Sequence, residues 1–364
     1  LLDWIVRRRW FQFVFVLPGL AFFLLFIIAG LWGSPIGNRN IIITFVWILW
    51  WFVLITVLLP LGSRIWCMAC PFPFFGEWLQ RKRLIGVLPD TRRMWRGYKK
   101  WPARLGNIWT QNILFLGLCT ISAILVTRPV TTAIVLLGLV LTATLLAAVF
   151  RQRSFCNYLC PVSGFLSLYA MAAVVEVRAR DTAACRDCRS KSCVAGGTSG
   201  WGCPWACNPG RLDRNNYCGM CMECIKTCPN DNMTINLRPF CADTRIKGLD
   251  EAFKALIMVS VALVYSVTLL GTWGTVKAWA NISEVGNWQG FLIYAGIIWV
   301  VSLVVLPGTW ALVCNLGRCL AGSDTVDLKT LFRRYAYLLV PLGLTAWAAF
   351  SFPLIMVNWS YILA

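Results

Sequence analysis

Residues 41–61 read IIITFVWILWWFVLITVLLPL, which is 21 residues without a charged side chain. An α-helix needs about 20 apolar residues to cross the hydrocarbon core of a bilayer, so this stretch predicts a membrane-spanning helix. The whole chain has the same character, because 59% of its 364 residues are hydrophobic and 20 of them are tryptophan. We therefore expect a mainly α, polytopic helical membrane protein.

Seven stretches of this kind predict seven transmembrane helices. They cover residues 11–31, 41–61, 108–126, 132–150, 255–271, 290–306 and 337–357. The expected organisation follows from them: helices 1 and 2 in residues 1–62, a loop in 63–107, helices 3 and 4 in 108–150, a large insert in 151–253, and helices 5 to 7 in 254–364.

The basic residues indicate how these helices are oriented. Of 34 Lys and Arg residues, 30 fall on one side of the predicted membrane, in residues 7–9, 63–107, 151–253 and 307–336. Without the 13 in the insert, which is too long for the rule, the ratio is still 17 to 3. Because cytoplasmic loops carry the positive excess, we expect a bacterial inner-membrane protein with its N-terminus and insert in the cytoplasm and its C-terminus outside. A net charge of +19 placed in this way indicates contact with membrane lipid and not with nucleic acid.

The insert contains nine cysteines within residues 185–228. The last four form the run Cys218-x2-Cys221-x2-Cys224-x3-Cys228-Pro229, whose spacing is typical of bacterial ferredoxins. We call residues 218–228 the ferredoxin run. Structural zinc is the alternative, because CxxC pairs also bind zinc. Four cysteines ending in Cys-Pro favour 4Fe–4S clusters, and a reducing cytoplasm leaves thiols free to act as ligands.

The cysteine before proline usually binds the other cluster in two-cluster ferredoxins. This rule predicts two 4Fe–4S clusters, the first bound by Cys185, Cys188, Cys193 and Cys228, and the second by Cys218, Cys221, Cys224 and Cys203. Cys207, which precedes Asn208-Pro209, is the alternative to Cys203. Cys203 is preferred because Pro204 follows it directly. The resulting domain is expected to be a ferredoxin-like insert on the cytoplasmic side.

Two further cysteine pairs follow predicted helices 2 and 4, and we call them the edge pairs. They occur in the motifs Arg64-Ile-Trp-Cys67-Met-Ala-Cys70-Pro71 and Arg153-Ser-Phe-Cys156-Asn-Tyr-Leu-Cys160-Pro161. One interpretation is an interfacial helix cap with cysteines as small packing residues. The similarity of the two motifs, a weak internal repeat, favours a redox or metal-binding role. The four thiols could bind a metal, form redox-active disulfides or flank a quinone pocket, and the sequence leaves these open.

The repeat and the ferredoxin run together resemble the membrane-bound polyferredoxins of the NapH, NosR and FixG type, over roughly residues 40–240. Cys156 and Cys160 match the CxxxCP motif of that family, and Cys67 and Cys70 stand in the first motif with one residue fewer between them. Cys218, Cys221, Cys224 and Cys228 match its cluster ligands. The resemblance implies an electron-transfer subunit, not a self-sufficient enzyme. It would pass electrons between the quinone pool or a cytoplasmic donor and a respiratory redox partner, among other subunits of a respiratory complex.

Two other functions stay open at this level. One is copper handling or assembly of a respiratory oxidase or reductase, because soft thiolates favour reduced copper and Met68 lies within the first edge pair. The other is a scaffold whose clusters sense redox state. Histidine is absent from the sequence, which excludes histidine-ligated haem within this chain.

A few charged residues are candidates for supporting roles. Glu77 and Glu284 are the candidate proton acceptors beside a quinone, and each is interpreted first as a solvated surface charge. Lys226, Arg211 and Arg214 lie near the predicted clusters, where they would raise reduction potentials, dock an acidic partner or serve as ordinary surface charges.

Overall fold

The computed structural model describes residues 2–8, 10–83, 97–270, 274–322 and 326–363. Several parts of the sequence-based predictions lie outside the described residues, namely Arg9, residues 84–96 of the predicted loop, and Gly271 at the end of the predicted fifth helix. The described residues are mainly helical, so the prediction of a mainly α, polytopic protein is confirmed.

Six helices in the described part of the chain are long and apolar enough to cross a membrane. They are Phe11–Trp32, Ile42–Gly62, Pro129–Val149, Leu249–Thr268, Trp288–Leu320 and Leu328–Ile362. Six of the seven predicted helices coincide with these. The span Ile42–Gly62 is not regular, since Ile42–Trp50 and Leu54–Leu58 are π-helical and Trp51–Val53 and Leu59–Gly62 are α-helical.

The predicted third helix, residues 108–126, is divided in the structure. It consists of Trp109–Thr120 and Ser122–Thr127, which are 12 and 6 residues long. The hydroxyl of Thr120 donates a hydrogen bond of 2.8 Å to the Leu116 carbonyl, and such a bond to the preceding turn often bends a helix. The count of seven transmembrane helices and their orientation therefore stay predictions.

The described chain forms two compact units. The first comprises Leu1–Ile27, Val57–Gly106 and Ile134–Asp243. It contains the antiparallel strands β1 (Val175–Ala179) and β2 (Met233–Leu237), paired from Val175 opposite Leu237 to Ala179 opposite Met233. Its shorter helices are Leu2–Val6, Leu59–Gly62, Ile65–Ala69, Phe74–Arg81, Ala103–Leu105, Ser154–Tyr158, Pro161–Tyr169, Ala170–Ala172, Thr182–Asp187, Ser192–Ala195, Pro209–Arg211 and Glu223–Thr227.

Strands β1 and β2 bracket the nine cysteines between residues 185 and 228. A hydrophobic core joins this sheet to the ferredoxin run and to the N-terminal helix, with the members Val6, Val177, Cys218, Met220, Met222, Cys224, Ile225 and Met233. Arg7 at the end of that helix pairs with Asp231 just before β2. The apolar core and the ion pair thus hold the loop between the strands against the start of the chain.

The second unit comprises Ile28–Thr56, Asn107–Ala133 and Thr244–Ala364. Aromatic packing is prominent in it, and the buried Trp347 lies edge-on to Trp51 and Tyr265, with ring centroids 5.6 and 5.7 Å away. Its helices are Gly37–Arg39, Ile42–Trp50, Trp51–Val53, Trp109–Thr120, Ser122–Thr127, Leu249–Thr268, Gly274–Ala280, Ile282–Val285, Trp288–Val300, Val301–Val305, Leu306–Leu320, Leu328–Tyr335, Ala336–Leu338 and Leu339–Leu363.

Candidate metal centres

The four cysteines predicted to bind the second cluster lie together in a buried part of the first unit. None of Cys203, Cys218, Cys221 and Cys224 is more than 7% exposed. Burial raises the pKa of the Cys224 thiol well above its usual value. The neighbouring Cys221, Cys218 and Cys203 raise that pKa further, because one thiolate opposes the ionisation of the next. The four thiols are therefore close enough to interact.

Cys207 lies beside this group. Its Sγ atom is 3.2 Å from the Sγ atom of Cys203, and this contact, followed by burial, raises the pKa of Cys203. Cys203 in turn acts on the thiols of Cys221 and Cys224. Cys203 thus stands between Cys207 and the ferredoxin run.

The four cysteines predicted to bind the first cluster also come together. Burial raises the pKa of Cys193 to about 11, with further contributions from Cys228, Cys185 and Cys188. Asn232 links two of these sulfurs that are far apart in sequence. Its side-chain amide donates to Cys185 Sγ at 3.2 Å, and its backbone N–H donates to Cys228 Sγ at 3.3 Å. The structure therefore brings the last cysteine of the ferredoxin run to the upstream half-site.

The edge pairs form a third group of thiols. Cys67, Cys156 and Cys160 are between 4 and 6% exposed, and Cys70 is partly buried. Burial raises the pKa of Cys156, and Cys160, Cys70 and Cys67 all raise it further. Burial likewise raises the pKa of Cys160 to about 12. The two motifs thus bring their four cysteines to one place.

The helix-cap interpretation applies to one of these cysteines. Cys160 occupies the N-cap of helix Pro161–Tyr169, and its Sγ accepts a hydrogen bond of 3.4 Å from the Ser163 N–H. Pro161 suits the first position of this helix, because it needs no N–H there and its φ is already helical. A sulfur that accepts this bond can still bind a metal, so the cap does not decide between the two roles.

The arginine that precedes each edge pair reaches the other motif. Arg64, three residues before Cys67, donates to Ser163 Oγ at 2.6 Å and to the Asn216 carbonyl at 2.6 Å. Arg153, three residues before Cys156, donates to the Cys67 carbonyl at 2.5 Å. Both arginines are buried, 3 and 5% exposed. Each arginine thus forms a hydrogen bond with the opposite motif, and these bonds hold the two motifs together beside their thiols.

Trp205 lies between the edge pairs and the ferredoxin run. It is 4% exposed, and its ring centroid is 4.2 Å from the Arg64 guanidinium carbon and 5.6 Å from that of Arg153. The indole also packs so closely on Gly219 that a Cβ there would come within 1.9 Å of Nε1. Since Gly219 follows Cys218 directly, this tryptophan fills the space between the two groups of thiols.

Three expectations for charged residues are wrong. Glu77 is not a solvated surface charge, because its side chain is 15% exposed and pairs with Arg153 and Arg81. Lys226 does not form a docking surface, since it is 9% exposed and its Nζ lies 2.9 Å from Glu223 Oε1. Arg214 is 1% exposed and likewise unavailable to a partner. The compact fold around the cysteines accounts for all three, because it draws these side chains inside.

The thiols are suited to iron–sulfur clusters by their chemistry. Within the described residues, no three side chains of Cys, Asp or Glu already form a site for a single metal ion. Each group provides four cysteines, the number that holds a 4Fe–4S cluster. Two buried donors in the first unit, Arg64 Nε and Trp205 Nε1, have no hydrogen-bond partner in the described part of the chain. Sulfur atoms of a cluster would accept such bonds.

Comparison with known proteins supports the iron–sulfur assignment. Residues 43–87 and 132–174 are similar to the family described as 4Fe-4S binding domain. Each of the two matched parts includes one edge pair, whereas the ferredoxin run lies outside both. The iron–sulfur prediction is therefore confirmed at the level of the domain, and the number of clusters stays a prediction.

A curated relative matches a smaller part of the chain. YccM of Escherichia coli (strain K12), whose name assigns it to electron transport, is 24% identical over 137 residues. The match covers 36% of this chain and 36% of YccM, so it spans about a third of that relative. No solved structure matches the chain.

Sequence reasoning did not identify the residues that surround the thiols. Asn232 and Trp205 carry no local pattern that would indicate contact with sulfur or with arginine. Arg64 and Arg153 did carry a signal, because both stand three residues before the first cysteine of a Cys-Pro motif. An equal offset in two repeats indicates that the arginines have equivalent roles.

Proposed function

We propose that this protein is a membrane-bound electron-transfer subunit with two 4Fe–4S clusters in the insert between residues 151 and 253. The first cluster would be bound by Cys185, Cys188, Cys193 and Cys228, and the second by Cys218, Cys221, Cys224 and Cys203. The observation that carries the proposal is the contact between the two sets of four cysteines. The Cys203 N–H donates to the Cys193 carbonyl at 2.9 Å, and the Cys193 and Cys203 thiols act on each other. Neighbouring clusters exchange electrons, and the name of YccM agrees with such a role.

The protein would tune these clusters and would leave the redox chemistry to them. Their potentials depend on burial and on hydrogen bonds to sulfur. Burial keeps the second group away from water, and Asn232 supplies two donors to the first. The two clusters would then differ in potential, as a directional electron path requires.

Quinone stays part of the proposal as a ligand that would approach a small pocket near these cysteines, with a free volume of about 30 Å³. This volume is below the usual range for small-molecule sites, about 300 to 1,000 Å³, so the pocket does not enclose a quinone ring. Two of its polar lining residues touch the backbone of cysteines, because Gln12 donates to the Cys221 carbonyl at 2.8 Å and Arg153 donates to the Cys67 carbonyl. Its lining is Gln12, Phe13, Val16, Met68, Phe74, Glu77, Trp78, Arg81, Arg83 and Arg153. A quinone would therefore contact only the rim of this pocket, where the arginines could donate hydrogen bonds to its carbonyl oxygens.

The proposed setting is the bacterial inner membrane, with the clusters facing the cytoplasm and other subunits of a respiratory redox complex as partners. The distribution of basic residues supports this orientation. Copper handling is not proposed, because the similarity to a 4Fe-4S binding domain and the name of YccM both support electron transfer instead.

The decisive experiment compares Cys224→Ser with the wild-type chain in its native membrane. We expect the variant to insert and assemble but to lose the dithionite-reduced EPR signal of the second cluster, together with electron flux from quinol or from a cytoplasmic donor. Unchanged flux with an altered regulatory output would favour a redox sensor instead. Zinc in place of iron in anaerobically purified protein would contradict the cluster assignment.

A further inference from the structure

The edge pairs provide a complete set of ligands that the two-cluster proposal does not use. Each Cys-Pro motif supplies two thiols, which is too few for a 4Fe–4S cluster by itself. The fold places the two pairs together, with Cys67, Cys156 and Cys160 buried. Arg64 and Arg153 join the motifs in both directions. One site therefore has four cysteines, two from each half of the internal repeat.

The electrostatics of this site call for an anionic occupant. Arg153 is paired with Glu77, with Nε 2.5 Å from Oε1. Arg64 is equally buried, and among the described residues it has no carboxylate partner. An uncompensated buried charge costs several kcal/mol. A centre bound by four thiolates would supply negative charge beside Arg64.

A buried hydrogen-bond donor of Arg64 supports the same occupant. Arg64 Nε has no acceptor in the part of the chain that the structure describes. Buried donors are rarely left without a partner. The sulfur atoms of an iron–sulfur cluster accept hydrogen bonds of this kind.

We propose that Cys67, Cys70, Cys156 and Cys160 together bind a third 4Fe–4S cluster, shared between the two Cys-Pro motifs. The match to a 4Fe–4S binding domain covers both motifs, which selects this cofactor over a disulfide or a single metal ion. All four cysteines are in the reduced form in the structure, as cluster ligands must be. The role of this cluster in electron transfer rests on the proposed function. The assignment of its four ligands does not depend on that function.

Trp205 places the third cluster next to the second. It follows the ligand Cys203 by two residues, packs on Gly219 within the ferredoxin run, and contacts the arginines of both edge motifs. The edge pairs come directly after predicted membrane helices, whereas the ferredoxin run belongs to the insert. The third cluster is therefore the one of the three that lies closest in sequence to the membrane.

The test is the iron and sulfide content of the anaerobically purified full-length chain. We expect about twelve irons in the wild-type protein, four for each cluster. Cys67→Ser combined with Cys156→Ser should leave about eight, with the reduced EPR signals of the two insert clusters retained. The matched control is Cys119→Ser with Cys314→Ser, which removes two other buried cysteines and should leave about twelve.

Two outcomes would overturn the inference without touching the proposed function. One is about eight irons in both the wild-type chain and the edge variant. The other is one zinc or copper ion that the edge variant loses. The wild-type measurement needs no variant, so it decides the matter even if the double variant does not fold. If the wild-type chain lacked the EPR signals of the two insert clusters, that result would instead contradict the two-cluster proposal.

Discussion

Arg153 and Glu77 form a buried two-point ion pair, with Nε 2.5 Å from Oε1 and Nη2 3.1 Å from Oε2. The remaining nitrogen, Nη1, donates to the Cys67 carbonyl. The planar guanidinium suits this arrangement, since its donors point in fixed directions. One side chain thus connects a carboxylate to the backbone of a cysteine 86 residues away.

The ion pair makes the stability of the first unit depend on pH. Burial alone would raise the pKa of Glu77, but the charges of Arg153 and Arg81 lower it below its usual value. A carboxylate of this kind stabilises the fold above its unfolded-state pKa, about 4.3, and the stabilisation is lost as the pH falls through the lower folded-state pKa.

Glu77→Gln should therefore lower the free energy of unfolding at pH 7 by about 3 kcal/mol, because it leaves Arg153 buried without its partner. The difference from the wild-type chain should shrink below about pH 4. Urea denaturation in detergent, followed by circular dichroism at both pH values, measures it. Glu284→Gln, at an exposed position, is the control. An equal loss at both pH values would contradict the assignment.

The choice between Cys203 and Cys207 predicts different outcomes for two serine variants. Cys203→Ser should remove about four irons and the EPR signal of the second cluster, because it deletes a ligand. Cys207→Ser should leave iron and spectrum unchanged, although its sulfur lies 3.2 Å from that of Cys203. Iron analysis with EPR on the two proteins, purified side by side, makes the comparison. The reverse result would assign Cys207 as the ligand.

Asn232→Ala should make the reduction potential of the first cluster more negative. The substitution removes the amide donor to Cys185 Sγ but keeps the backbone donor to Cys228 Sγ, and hydrogen bonds to sulfur raise cluster potentials. One neutral hydrogen bond contributes about 0.5 to 1.5 kcal/mol, which is about 20 to 60 mV for one electron.

An EPR-monitored redox titration measures this shift. Asn236→Ala, four residues further on in β2, is the control and should leave the potential unchanged. A potential that does not move in Asn232→Ala would show that the amide does not act on the cluster.

Gly219→Ala should disturb the second cluster through Trp205. The new Cβ would lie 1.9 Å from the indole Nε1, so the tryptophan or the cysteine loop must move. Overpacking of this kind costs about 1 to 3 kcal/mol, and we expect reduced iron content. Gly138→Ala is the control, because a Cβ there meets nothing within 4 Å. If Trp205 causes the effect, adding Trp205→Phe should restore part of the iron; no recovery would exclude that cause.

Much of the fold follows from local rules. Length and apolar composition identify long helices such as Phe11–Trp32 and Pro129–Val149, because a membrane span needs only enough consecutive apolar residues. The division of residues 108–126 near Thr120 was not predicted. A hydroxyl–carbonyl bond from Thr120 lies at this point, and hydropathy does not detect such local geometry.

For the candidate site, too, the sequence predicted some features and missed others. The spacing of Cys218, Cys221 and Cys224 indicates a cluster, since three thiols two residues apart can surround one cofactor. The burial of Glu77, Lys226 and Arg214 could not be read from the sequence, because a charged side chain is buried only when the fold supplies partners.

The sequence by itself determined where six long apolar helices lie, that the insert carries a ferredoxin-type run of cysteines, and that two Cys-Pro motifs are related. Each of these is a property of residues close together in the chain. Only the tertiary structure decided that Arg64 reaches Ser163, 99 residues away, and that Arg153 reaches Cys67. Packing brings such distant residues together, and for the same reason the two edge pairs, which are far apart in sequence, lie near each other in the fold.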